Sequence, residues 1–140
     1  MAADLRKLCN IDAEAFDNIA ELTARMNDEG PETIFDSFLT KSGPQDALMV
    51  LSVGGGTMEV SRAICRAVER AKRLSVTIFG ITGPNGGYTA EHADLCIKIP
   101  TEHFVIKGQG LTTPLTEAFQ ALVWHCLVSH PLLQKNKPKW

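Results

Sequence analysis

A surplus of charge of either sign is missing from this sequence. Across 140 residues, 14 Lys and Arg stand against 16 Asp and Glu, a formal net charge of −2. That balance excludes a basic nucleic-acid groove, which needs cations clustered on one face. The one cationic cluster, Gln134-Lys135-Asn136-Lys137-Pro138-Lys139-Trp140, reads as a solvated end. No apolar run reaches the roughly 18 residues of a membrane-crossing helix, so no membrane partner is expected. Met1 to Asn10 lacks an apolar leader core, and a cytoplasmic location is expected. Cysteine is sparse. Cys9, Cys65, Cys96 and Cys126 form no Cys-x-x-Cys pair, which excludes a zinc ribbon and fits reduced thiols. Repeats, low-complexity tracts and linker-like stretches are absent too, so residues 1–140 read as one domain.

What is present is an ordinary domain composition, 44% hydrophobic and 21% charged. Apolar positions from Asp12 to Asn27 fall at helical spacing, ended by Asp28-Glu29-Gly30-Pro31. A second helix is predicted over Glu32 to Lys41, followed by a turn at Ser42-Gly43-Pro44. Ala47 to Val53 is a continuous apolar run, as expected of a strand buried on both faces. After Gly54-Gly55-Gly56-Thr57 the period changes to helical, from Met58 to Arg73. Ser75 to Ile81 reads as a second buried strand ending in Thr82-Gly83-Pro84-Asn85-Gly86-Gly87, which reads as a plain loop. Asp94 to Pro100 reads as a third strand, Pro114 to Ser129 as a final helix, and Leu5 to Cys9 as a further edge strand. This order predicts an α/β layer fold with a mostly parallel sheet.

Ligands of open parallel sheets sit beyond the carboxyl ends of the strands, where Ser52 to Thr57 lies. Free backbone N–H groups and a helix dipole at such a corner favour an anion, usually phosphate. Three consecutive glycines let a ligand approach the backbone, and Ser52, Thr57 and Ser61 supply hydroxyls. No Lys follows the glycines, and Glu59 stands where the third Gly of G-x-G-x-x-G belongs, so no nucleotide cofactor is expected. The plain alternative is a tight strand-to-helix turn with Thr57 as the helix cap.

The blocks Asp46-Ala-Leu-Met-Val-Leu-Ser-Val-Gly-Gly-Gly-Thr, Ala67-Val-Glu-Arg-Ala-Lys, Gly80-Ile-Thr-Gly-Pro-Asn-Gly-Gly and Ala93-Asp-Leu-Cys-Ile-Lys-Ile-Pro occur in that order. Together they resemble the sugar isomerase (SIS) domain family, of the phosphoheptose isomerase type. The resemblance implies a three-layer α/β/α sandwich of flavodoxin-like or Rossmann-like kind, shortened at its N-terminus. It also implies a sugar-phosphate pocket. The family turn Ser-x-Ser-Gly-Asn-Ser aligns with Ser52, Val53, Gly54, Gly55, Gly56 and Thr57, keeping two hydroxyl positions and losing the middle Ser and the Asn. The pocket then leans on backbone N–H groups. The family's sugar-contacting Asn-Asp pair matches Asn27-Asp28, which on their own read as a helix-ending turn.

Aldose–ketose isomerisation needs a base, and an acid or metal that polarises the carbonyl. Family members that bind zinc use a His and a Glu from an early helix, then a Gln and a His on the last. Aligning the last helix on His125 puts Glu117 at the Gln position, so the resemblance makes Glu117 and His125 the candidate catalytic residues and zinc ligands. Their eight-residue separation spans about 12 Å of helix, so they share one ion only by reaching toward each other. Taken alone, His125 reads as a helix histidine packed near Trp124 and Cys126. The family's Gly-Asn-Gly-Gly-Ser strand end and its base do not occur among the residues before the glycine turn. The expected function is a phosphosugar isomerase interconverting ketose and aldose phosphates. The alternative is a non-catalytic SIS module that binds a sugar phosphate or assembles with a partner protein. The resemblance implies a homodimer or homotetramer. Strand faces such as Leu48, Val50 and Ile78 are expected to be thinly covered in a monomer, which points the same way.

Overall fold

A computed structural model describes residues 1–139; Trp140, the end of the Lys-rich tail, lies outside them. Three parallel strands form the centre: β1 (Ala47–Ser52), β2 (Thr77–Thr82) and β3 (Leu95–Lys98), in spatial order β1-β2-β3. Leu48 aligns with Ile78 and Val50 with Gly80, so one face presents Leu48, Val50 and Ile78 in register. α3 (Arg62–Arg73) covers that face with Ala67, Val68 and Ala71. α4 (Gly87–His92) continues the layer beside β2 and β3. The α/β expectation is met, with a parallel sheet and helices around it.

Coverage of that face is better than the sequence suggests. Leu48, Val50 and Ile78 are 7%, 8% and 1% exposed, because α3 presents small residues at helical spacing and sits close to the sheet. The opposite face is the open one, with Leu51, Leu95 and Ile97 exposed. There α5 (Thr112–Val128) packs on β2, anchored by Gln120 Nε2, which donates to the Ile81 carbonyl at 2.6 Å.

Several boundaries differ from the sequence reading. Leu5 to Cys9 is no edge strand; it belongs to α1 (Ala2–Cys9). Leu5, Leu8 and Cys9 sit at i, i+3 and i+4, a helical spacing, and pack with Trp124, Val128 and Leu133. The predicted helix from Asp12 starts only at α2 (Ile19–Asp28), where the Asn18 side chain accepts from Glu21 N. The Glu32–Lys41 helix is instead two short 3₁₀ turns, Pro31–Thr33 and Ser37–Leu39. Phe16 stacks on Phe38 across this segment with ring centroids 4.5 Å apart, so packing of isolated aromatics replaces a continuous helix. After β3 the chain makes a small antiparallel hairpin, β4 (Val105–Ile106) and β5 (Gln109–Gly110), turning at Lys107 and Gly108 with positive φ. Among the described residues no helix is long and apolar enough to cross a membrane.

Candidate functional site

The carboxyl end of β1 carries the glycine turn, and the turn does not run directly into α3. Thr57 closes a short loop on itself: its N–H donates to Val60 O at 2.8 Å, and Val60 N donates back to Thr57 Oγ1 at 3.0 Å. α3 begins only at Arg62, after Ser61 in the left-handed region at φ 62°. Thr57 is therefore not the helix cap, and its hydroxyl is committed to its own loop. Ser52 Oγ accepts the Gly55 amide at 3.1 Å, which leaves the serine proton free to donate.

The second glycine turn is part of the same structure. Its predicted role as a plain loop fails because it packs backbone to backbone on the first. A Cβ on Gly55, at φ +69°, would lie 1.8 Å from Gly86 O, and one on Gly87 would lie 2.1 Å from Gly54 O. The start of α4 binds the first turn's carbonyls: Thr89 N and Thr89 Oγ1 donate to Gly55 O at 2.9 and 2.7 Å, and Tyr88 N donates to Gly56 O at 2.9 Å. In a trans peptide the N–H points opposite to the C=O. Pulling the Gly55 carbonyl onto α4 therefore turns the Gly56 N–H away from α4. Within the described residues the amides of Gly54 and Gly56 donate to no protein group. A Cβ on Gly54 meets nothing within 4 Å, so space lies open beside it.

Residues that sequence reasoning missed form the floor. Gly83 N donates to Val53 O at 2.9 Å, and a Cβ on Gly83 would lie 3.2 Å from Thr116 Oγ1. Thr116 is fully buried and shares a 2.9 Å hydrogen bond with Thr101, also buried. Beneath Gly56 lie Ile64 and the Cys65 sulfur, within 3.2 Å of where a Cβ would stand. Burial pushes the Cys65 thiol up, with Glu69 and Glu59 adding to the rise. Tyr88 also rises, through burial and the hydrogen bond it donates to Glu69 Oε1 at 3.0 Å. The signal for this floor was the repeated Gly-Thr pattern after β2, read there as loop chemistry.

The other predicted residues are not brought to this corner. Asn27 and Asp28 end α2, are exposed, and make no side-chain hydrogen bond to the turn; α2 packs on the Pro31–Thr33 segment. Glu117 and His125 both lie on exposed positions of α5, His125 stacked on Trp124 at 3.7 Å. The buried side of α5 is instead Thr116, Gln120 and Val128. Zinc takes four convergent ligands. Among the described residues no three His, Cys, Asp or Glu converge as metal ligands would, so this donor set does not fit the ion.

No protein-family model matches the chain. It is 40% identical over 85 residues to the phosphoheptose isomerase of Rhodospirillum rubrum, covering 60% of this chain and 43% of that one. To the phosphoheptose isomerase of Aneurinibacillus thermoaerophilus it is 29% identical over 118 residues, covering 83% and 54%. The chain spans about half the length of these curated relatives. A phosphoheptose isomerase structure from Francisella tularensis superposes with a TM-score of 0.70 at 25% identity, over 90% of this chain and 65% of that one. One from Neisseria gonorrhoeae gives 0.73 at 22%, over 91% and 67%.

Proposed function

We propose that this chain, a homologue of the phosphoheptose isomerases with their SIS-type α/β fold, holds the phosphate of a phosphorylated sugar at the Gly54–Gly56 turn. The observation that carries the reading is the fixed Gly55–Gly56 peptide. Its carbonyl is drawn onto α4, and its amide, turned away from α4, donates to no protein group among the described residues, an arrangement set by the fold before any anion arrives. Ser52 adds a hydroxyl donor, and backbone amides take the part that side chains play in the family turn. Asn27 and Asp28 are the proposed sugar contacts. They reach it only if a second copy or a movement of α2 brings them there.

The reaction proposed is the interconversion of a ketose phosphate and an aldose phosphate. A proton leaves one carbon and returns to its neighbour, so a base must stand near both and a donor near the carbonyl oxygen. Glu117 as base and His125 as donor are the proposed catalytic pair, acting as a homodimer or homotetramer and with no step through a metal. A second reading, a module that binds a sugar phosphate without turnover, is favoured by one observation: both side chains stand on exposed positions of α5 rather than on its buried side.

Placing a side chain in the open space beside Gly54 separates the two. With Gly54→Val, affinity for sedoheptulose 7-phosphate is expected to fall at least about tenfold, while the melting temperature of the free protein holds. Unchanged affinity overturns the phosphate site. Turnover in the parent protein that is lost in His125→Ala, with binding kept, supports the isomerase. Binding with no turnover supports the module.

A further inference from the structure

Two peptides of the corner have glycine on both sides, Gly54–Gly55 and Gly55–Gly56. Glycine admits positive and negative φ about equally, so its own sterics do not decide which way such a peptide points. Reversing the peptide exchanges the places of its N–H and C=O. A corner that meets an anion with amides must therefore be held from outside the glycines. Each of the two peptides has its own holder. Ser52 Oγ accepts the Gly55 N–H at 3.1 Å and fixes the first. The second is held across 34 residues: Thr89 Oγ1 donates to Gly55 O at 2.7 Å, and Thr89 N donates to the same oxygen at 2.9 Å. Thr89 is fully buried, and it stands in the first turn of α4, where the N–H has no acceptor within the helix. Both of its donors are spent on one carbonyl. Gly56 is buried as well, yet its N–H donates to no protein group among the described residues. A buried amide without a protein partner is rare and points to an acceptor other than protein.

We propose that Thr89 is the positioning residue of this corner: its hydroxyl and amide, closing together on Gly55 O, keep the Gly55–Gly56 peptide in the orientation that leaves the Gly56 N–H for an anion. This role rests on the phosphate reading of the turn, and it belongs to a residue that acts through the turn without touching the ligand. With the hydroxyl gone, Gly55 O keeps only the Thr89 N–H, and the peptide reaches the reversed orientation more often. The Gly55 carbonyl then stands where the amide stood and repels the anion. Only the molecules in the held orientation bind, so the apparent affinity falls in proportion to their fraction.

The test titrates the 140-residue chain and its Thr89 variants with inorganic phosphate, following the Gly54 and Gly56 amide resonances well below each melting temperature. Thr89→Val keeps the shape of the side chain and loses its donor. Phosphate binding is expected to weaken about tenfold, and the Gly56 resonance of the phosphate-free variant to move or split. Thr89→Ser keeps the hydroxyl and is expected to bind within about threefold of the parent. A packing role alone predicts the reverse order, since Val fills the site and Ser leaves a methyl-sized gap. Should Thr89→Val fail to fold, Thr89→Cys takes its place, with a thiol that donates weakly. It is expected to bind at least about threefold more weakly than Thr89→Ser. Equal affinity in the parent and a folded Thr89→Val, equal affinity in Thr89→Ser and Thr89→Cys, or a Thr89→Ser that binds more weakly than Thr89→Val overturns the role of Thr89 and leaves the phosphate site standing. A parent chain whose Gly56 amide does not respond to phosphate overturns the phosphate reading, and the positioning role with it.

Discussion

Gly54, Gly55 and Gly87 are adjacent in space yet differ in what they tolerate. Gly55 and Gly87 are held at φ +69° and +52°, with carbonyl oxygens 1.8 and 2.1 Å from where a Cβ would stand, whereas Gly54 faces open space. Gly55→Ala and Gly87→Ala are each expected to cost about 3 kcal/mol or more, since a rigid backbone must move. Gly54→Ala is expected to stay within about 0.5 kcal/mol. Urea unfolding of the three variants checks this ordering, and equal losses would mean the two turns are not packed as described. Two protonated groups near the same corner, the buried Cys65 and the half-buried Tyr88, give a pH signature. The Cys65 thiol and the Tyr88 phenol are both raised in the folded chain, chiefly by burial, so the folded state holds protons that the unfolded chain releases first. Their stabilisation is complete below the ordinary thiol value of about 8.5, and is lost as pH climbs through the raised folded values. The urea midpoint is expected to fall above about pH 9, and less steeply in Cys65→Ala. Parallel profiles for parent and variant would show that the Cys65 proton does not contribute.

At the scale of elements, α5 is held by two polar tethers, Gln120 to Ile81 O in β2 and Thr116 to Thr101 in the segment after β3. Thr116→Val keeps the shape and deletes one, leaving the buried Thr101 hydroxyl with only a distant 3.5 Å partner at Thr112 O. A loss of about 1–2 kcal/mol is expected in thermal unfolding. Retained stability would show that α5 is held by its apolar contacts alone. The strands were legible because a parallel sheet demands continuous apolar runs, and Ala47–Ser52 and Thr77–Thr82 satisfy that demand in any context. The glycine corner was legible because Gly55 and Gly87 stand where a Cβ would meet a backbone carbonyl, which only glycine avoids. The side of α5 that faces inward was not. Aligning the helix on His125 chose Glu117, but burial runs through Thr116 and Gln120, one residue out of phase. A one-position slip on a helix turns a side chain by about 100°. Residues 32–41 escaped as well, because apolar spacing cannot tell a regular helix from two 3₁₀ turns joined by stacked phenylalanines.

Across the whole molecule the core is divided. The main cluster joins the sheet to α3, and a smaller one joins α1 to the far end of α5 through Leu8, Cys9 and Val128. The smaller one is clasped by the chain's two ends. Lys135 N and Asn136 N donate to Leu8 O at 2.7 and 3.0 Å, and Asn136 Nδ2 donates to Lys7 O and Asn10 Oδ1, each at 2.8 Å. These bonds satisfy carbonyls at the end of α1 that the helix itself cannot reach. An eight-residue helix is marginal alone, so α1 depends on the clasp and on its three-residue apolar face. Opening of α1 should therefore cost less free energy than opening of the sheet, and the two should respond separately to mutation. Asn136→Ala is expected to speed amide exchange across Leu5 to Asn10 by about tenfold, while the amides of β2 keep their parent rates. Uniform acceleration in both regions would show a single cooperative unit, in which the tail supports the sheet as directly as it supports α1.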